Sequence, residues 1–317
     1  PVISPVRINF GGIKPVNLKK VDNVHRVIVL PDTQFGFYRS LRTNKLTPFH
    51  DRRALDIALQ ITQNYYVDQT ILLGDLMDLA DWSDKFIRSP HMYWTTQPAA
   101  IEAKWWLAQF KAATDGGVMK IIEGNHDKRM GDRIIKHMTE AFELRSVDGL
   151  ELPPLISVPR ILALHDLDIE WVGDYPNGQV WITDELVCEH GDVARGKSGA
   201  TVSSMVQDAH NSKIVGHIHR IESATKTIHT KDGAKTVEVW SIGCLCRIDG
   251  LVPAKKKRNN WQQALAMVEY TDDGDIDIDP IPIKEGRAMF RGQVYEARDR
   301  LDDLREATVG SKAEWNW

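Results

Sequence analysis

Short apolar runs alternate with longer stretches of helical spacing along the first two thirds of the chain, the pattern of a layered α/β fold. Arg26 to Leu30 is apolar and β-branched and is stopped by Pro31-Asp32. Arg52 to Tyr66 repeats Ala54, Leu55, Ala58, Leu59 and Ile61 on one broad face and predicts a helix. Thr70 to Leu73 reads as a strand ending at Gly74-Asp75, and Val118 to Ile122 as one ending at Glu123-Gly124-Asn125-His126-Asp127. Pro98 to Ala113 predicts a helix with proline in its first turn. Val180 to Cys188 predicts a strand ending at Glu189-His190-Gly191, Ala200 to Ala209 a helix, and Lys213 to Val215 a strand ending at Gly216-His217-Ile218-His219.

The texture then changes. Ala224 to Thr230 and Lys235 to Ile242 flank Asp232-Gly233, and Leu265 to Tyr270 and Ile276 to Ile283 flank Asp272-Asp273-Gly274; both are hairpin signals. From Lys284 the chain is charged and helix-prone through Arg298 to Arg305, and it ends in Trp315 and Trp317. This divides the chain into a main domain over 1–283, with 80–106 as a cap insertion, and a charged helical tail over 284–317.

Composition narrows the class. The 317 residues are 42% hydrophobic and 26% charged, a globular profile. No apolar run approaches the roughly 20 residues that span a bilayer, and no signal peptide stands out in the first twenty residues, so the expectation is a cytoplasmic protein with no membrane partner. Three cysteines, Cys188, Cys244 and Cys246, make no disulfide framework and read as reduced, partly buried thiols. A net charge of −4 argues against a dedicated non-specific nucleic-acid binder, though not against a nuclease whose metal cluster needs carboxylates.

The informative feature is how the strands end. Five stop in loops rich in Asp, Asn or His, and open α/β sheets build their sites at such carboxyl ends. One histidine there is an ordinary cap or surface residue; five such loops together are a constellation. Two divalent ions roughly 3.5–4 Å apart can clamp a phosphate and lower the pKa of a water between them. A carboxylate can bridge the ions, with imidazole nitrogens and amide oxygens in the outer positions.

The order Asp32-Thr33-Gln34, Gly74-Asp75, Gly124-Asn125-His126-Asp127, His190-Gly191 and Gly216-His217-Ile218-His219 resembles the calcineurin-like metallophosphoesterase family, over about residues 26 to 245. The resemblance implies a four-layer α/β/β/α sandwich with mixed sheets and two divalent ions; the neutral oxygen donor of Gln34 puts Mn²⁺ foremost, with Mg²⁺, Fe, Ni or Zn²⁺ as alternatives. It places Asp32 and His219 on the first ion with Gln34 beside them, Asp75 between the ions, and Asn125, His190 and His217 on the second. An activated hydroxide would be the nucleophile, His126 the general acid, and Asp127 the group orienting its ring. Gln34 departs from the family, which has histidine there; it either gives a weaker oxygen ligand or reaches the ion only through water. Asp78 reads as a carboxylate steering a histidine or as a helix cap.

Gly191-Asp192-Val193-Ala194-Arg195-Gly196-Lys197-Ser198 also fits the phosphate-loop pattern, but Gly191 is already used by His190-Gly191 and the next strand ends in Gly-His. Arg195 and Lys197 there, with Arg129, are candidate phosphate contacts; a plain solvated loop is the other reading. Two further stretches bear on substrate. Ala80 to Trp106 holds Trp82, Phe86, Arg88, His91, Tyr93, Trp94, Trp105 and Trp106, either a base-stacking surface or a cap burying its own aromatics. Lys255-Lys256-Lys257-Arg258 is either a solvated loop or a phosphate-backbone contact. The Asp32-Thr33-Gln34-Phe35-Gly36 block is similar to the branch that includes DNA-repair nucleases. The expected partner is therefore a phosphate ester in DNA, RNA or a nucleotide, cleaved as a phosphodiester. A phosphomonoesterase and a weakly catalytic binding module are the alternatives.

Overall fold

A computed structural model describes residues 23–84, 89–114, 116–231, 233–253 and 259–308. Phe86, Arg88, Asp232, the Lys255 to Arg258 run and the terminal Trp315 and Trp317 lie outside the described residues. In chain order the elements are β1 (Val24–Leu30), β2 (Phe37–Arg39), β3 (Leu46–Pro48), α1 (Arg52–Asn64), β4 (Gln69–Leu72), α2 (Thr96–Ala113), β5 (Val118–Ile122) and α3 (Arg129–His137). They continue with α4 (Val158–Ile161), β6 (Glu170–Val172), β7 (Gln179–Thr183), β8 (Leu186–Glu189), α5 (Ala200–Asp208), β9 (Ser212–Val215), β10 (Ile221–Thr230) and β11 (Gly233–Ile242). The last are β12 (Gln263–Thr271), β13 (Ile276–Ile283), β14 (Arg287–Phe290), β15 (Gln293–Glu296) and α6 (Leu301–Thr308).

Two mixed sheets form, in strand orders β13-β12-β1-β4-β5-β6 and β10-β11-β9-β8-β7. Strands β1, β4, β5 and β6 run parallel, with β12 and β13 antiparallel at one edge. In the second sheet β8, β9 and β11 are parallel. The period-two alternation of strand side chains explains the layering. Val27 and Val29 of β1 join Ile71, Ile182, Cys188 and Ile214 in a core between the sheets. Ile28 and Leu30 point the other way, to Leu55, Leu59, Trp106 and Phe110 of α1 and α2. On the far face of the second sheet, Val202 and Val206 of α5 cover Val215, Val237 and Val239. The arrangement is the expected four-layer α/β/β/α sandwich.

Three local expectations need correction. The strand read over Val180 to Cys188 is two antiparallel strands, β7 and β8, turning at Asp184-Glu185. The 80–106 segment is not a separate cap. It opens with two short 3₁₀ turns and then enters α2, whose Ala103, Trp106 and Leu107 are buried in the main core, as is Phe110 further along the helix. The tail from 284 begins as the hairpin β14–β15 before α6, and Phe290, Tyr295 and Leu304 are buried in that same core. Fully buried Asp56 of α1 fastens it, accepting from the Arg298 N–H at 2.7 Å and pairing with the Arg300 guanidinium.

Candidate metal centre

Every predicted ligand lies in a loop following a parallel strand. Asp32 and Gln34 follow β1, Asp75 follows β4, Asn125 follows β5, His190 follows β8, and His217 and His219 follow β9. The two sheets aim these ends at one another. Gln34 N–H donates to the Asp75 carbonyl at 2.9 Å and Phe35 N–H to that of Leu76 at 2.7 Å, so the first two loops run side by side. Small residues let them close. A Cβ on Gly124 would stand 2.1 Å from the Asp75 nitrogen, and one on Gly216 2.8 Å from Asp32 Oδ2. Backbone φ is positive at Asp32 (39°), Gln34 (49°), Asp75 (48°), His217 (64°) and His219 (59°).

Two sets of donor atoms result, each within 4.8 Å of one another: Asp32, Asp75 and His219, and Asp75, His190 and His217. Asp75 belongs to both. Asp32 Oδ1 is 3.1 Å from His219 Nε2, and both Asp32 oxygens accept from the His217 N–H at 3.0 and 3.1 Å. His190 donates Nδ1–H to the Leu73 carbonyl at 2.6 Å, which leaves Nε2 facing Asn125 Oδ1 and Asp75 Oδ1, each at 3.3 Å. The Gln34 amide meets the same His219 Nε2 at 3.5 Å, and its oxygen is buried with no hydrogen-bond partner. His219 rests on Trp261 at 4.3 Å between ring centroids, with the buried Cys246 thiol 3.8 Å behind Nδ1.

The charge balance explains the titration of this cluster. Burial lowers His190 and His219, but Asp75 and Asp32 outweigh it and push both up to about 9. His217 is lowered to about 4 by burial and by the neighbouring His190. Burial raises Asp75, yet His126, His190 and His217 together hold it well below the usual carboxylate range. The metal-free chain thus keeps protons on two rings where cations would neutralise Asp32 and Asp75.

His126 reaches the cluster through its backbone N–H, which donates to Asp75 Oδ1 at 2.8 Å. Its Nδ1 faces the Asp78 carbonyl at 3.1 Å and the Asp78 carboxylate at 3.2 Å, and Nε2 points toward Asp75 at 3.7 Å. Asp78 therefore orients the ring, and the residue capping the following 3₁₀ turn is Leu79. The role expected of Asp127 is corrected. Its buried carboxylate accepts from the N–H groups of Leu76 (3.1 Å), Met77 (2.8 Å) and Gly124 (2.9 Å), tying the loop that carries Asp75 to the loop that carries Asn125.

A cleft of about 500 Å³ opens on Asn125 and His217. Arg129 lines it and also donates to the Asp78 carbonyl. Of the 191–198 loop, only Asp192 lines this cleft. Arg195 hydrogen-bonds Ser204 and Lys197 is exposed, so the structure does not bring these two to the centre. Sequence reasoning missed Tyr175, which also lines the cleft and whose ring is 5.8 Å from that of His190. It sits in an irregular turn, held by its N–H on Glu123 Oε2 at 3.0 Å, and carries no motif.

No helix among the described residues is long and apolar enough to cross a membrane. No family model matches the chain. The gene 54 protein of Mycobacterium phage D29 is 25% identical over 281 residues, covering 86% of this chain and 98% of that protein. Among solved structures, a 5'-nucleotidase precursor from Thermus thermophilus aligns with a TM-score of 0.38 and 10% identity, over 90% of this chain and 58% of its own length. Purple acid phosphatase PPD1 from yellow lupin seeds aligns with a TM-score of 0.40 and 12% identity, over 90% and 55%. The chain thus spans little more than half the length of these two structures.

Proposed function

We propose that this chain is a metallophosphoesterase with two divalent ions that cleaves phosphodiesters of nucleic acid or nucleotides. The carrying observation is Asp75, whose carboxylate belongs to both donor clusters. The residues fit such ions: two buried carboxylates, three imidazoles, and the amides of Asn125 and Gln34, one with an orphaned buried oxygen. Asp32, Gln34, Asp75 and His219 would hold the first ion, and Asp75, Asn125, His190 and His217 the second. A set rich in oxygen donors suits Mn²⁺. Such ions supply Lewis acidity toward a phosphoryl oxygen and a lowered pKa for water between them.

The chain's own groups do the rest. Asp78 fixes the His126 ring so that a proton on Nε2 faces the cluster, where it can pass to the leaving oxygen. Leu73 holds the His190 tautomer. Asp127 fixes the spacing of the two loops. The test is a screen of Mn²⁺, Mg²⁺ and Zn²⁺ against bis-p-nitrophenyl phosphate, p-nitrophenyl phosphate, DNA, RNA and a cyclic nucleotide. The expected outcome is Mn²⁺-dependent hydrolysis favouring the diester. His126→Asn should lower kcat by about 10²–10⁴ with metal content unchanged. Preference for the monoester would make it a phosphomonoesterase; no turnover with any metal would make it a binding module.

A further inference from the structure

The cleft beside the second donor cluster is more basic than the chain as a whole. Lys128, Arg129, Arg133 and Lys136 line it against the carboxylates of Asp84, Asp132 and Asp192, while the chain carries a net −4. Arg129, Arg133 and Lys136 recur at the three- and four-residue spacing that places them along one face of α3. Three groups of that helix converge on Asp84: the Arg133 guanidinium, Lys136 Nζ at 2.7 Å and His137 Nε2 at 3.4 Å. A carboxylate gripped by three cationic or ring nitrogens marks an anion-binding geometry already built. Two aromatic walls complete the cleft. Trp82 is oriented by its Nε1–H on Thr96 Oγ1 at 2.9 Å, and Tyr175 carries Lys128 Nζ 5.9 Å from its ring centroid.

We propose that this cleft seats the phosphate next to the scissile one, gripped by Lys128 and Arg133, so that the substrate is a nucleic-acid strand and not an isolated nucleotide. Asp84 is the internal stand-in that this phosphate displaces. The inference rests on the phosphodiesterase reading above. Its chemistry is that of single-strand recognition: cations tracking the backbone between aromatic faces on which a base stacks. The volume is that of a small-ligand pocket, room for one nucleotide beyond the reacting phosphate.

The test uses the full chain and a fluorescein-labelled single-stranded DNA 10-mer. Without metal, anisotropy should show Lys128→Gln and Arg133→Gln binding at least tenfold more weakly. Each should lower the slope of log affinity against log salt by about 0.7, the value for one phosphate contact on a single strand. Asp84→Asn should act in the opposite direction and tighten binding, because it frees Arg133 and Lys136; a folding defect cannot produce that sign. With Mn²⁺, the ratio of kcat/KM for the 10-mer to that for bis-p-nitrophenyl phosphate should fall at least tenfold in the two cation variants, through KM. If the wild type cleaves the small diester but the ratio and the salt slope do not move, or if Asp84→Asn weakens binding, this inference fails and the phosphodiesterase reading stands. If the wild type cleaves no diester, the reading beneath it fails.

Discussion

Asp127→Asn separates the two roles that its carboxylate has been given. Oδ2 accepts from Leu76 and Gly124, and Oδ1 from Met77. An asparagine keeps one oxygen and turns an NH₂ toward the other position. If the oxygen stays between Leu76 and Gly124, the Met77 N–H faces a donor; in the reverse rotamer, two N–H groups do. Hydrogen bonds to a charged group contribute about 1.5–3 kcal/mol each, and a buried unpaired donor costs about as much. The swap should therefore cost about 2–4 kcal/mol, which at about 2–4 °C per kcal/mol lowers Tm by roughly 4–16 °C. The measurement is a thermal melt at pH 8, above the value of about 7 to which burial and the Asp75 charge push this carboxyl. An unchanged Tm with kcat reduced a hundredfold would refute this account and return Asp127 to the task of orienting His126.

Two further outcomes are expected. Gln34→His should tighten the weaker of two Mn²⁺ binding steps at least tenfold by calorimetry, since imidazole is the stronger ligand; unchanged stoichiometry and affinity would show that Gln34 touches no ion. The second concerns pH. His190 and His219 are raised to about 9 in the metal-free chain, burial being outweighed by Asp75 and Asp32. Because they are raised, their contribution to stability is fully present below about pH 6.5, the unfolded value, and is lost as pH climbs through 9. Ions need the neutral rings, so Mn²⁺ affinity should rise across that same window with proton release on binding; a flat affinity from pH 6.5 to 9 would contradict it.

Much of the centre was legible because each candidate ligand lies within four residues of a strand's end. A β-branched run that stops at Gly-Asp or Gly-His states both an element and its end, and Leu73-Gly74-Asp75 and Val215-Gly216-His217 are read that way without tertiary knowledge. What was hidden depends on contacts distant in the chain. Asp127 follows His126, and nothing local says that its carboxylate turns away to backbone groups some fifty residues earlier. Tyr175 reaches the cleft from a turn without a pattern. The β14–β15 hairpin is short, so its few buried residues, Ala288, Phe290 and Tyr295, gave too little periodicity to outweigh the helix-prone composition. The strand read across Val180 to Cys188 failed because Asp184-Glu185 turns the chain without glycine or proline.

The positive φ values at Asp32, Gln34, Asp75, His217 and His219 bear on how this chain would change over generations. A left-handed backbone disfavours any residue with a Cβ by about 1–2 kcal/mol, and glycine, or to a lesser degree asparagine, relieves it. At these five positions the residue that folds most comfortably is one that ligates poorly or not at all. A lineage released from selection for its chemistry would drift toward glycine and asparagine there and grow more stable as it lost activity. Aspartate, glutamine and histidine at these five positions hold the backbone at a cost that glycine would relieve.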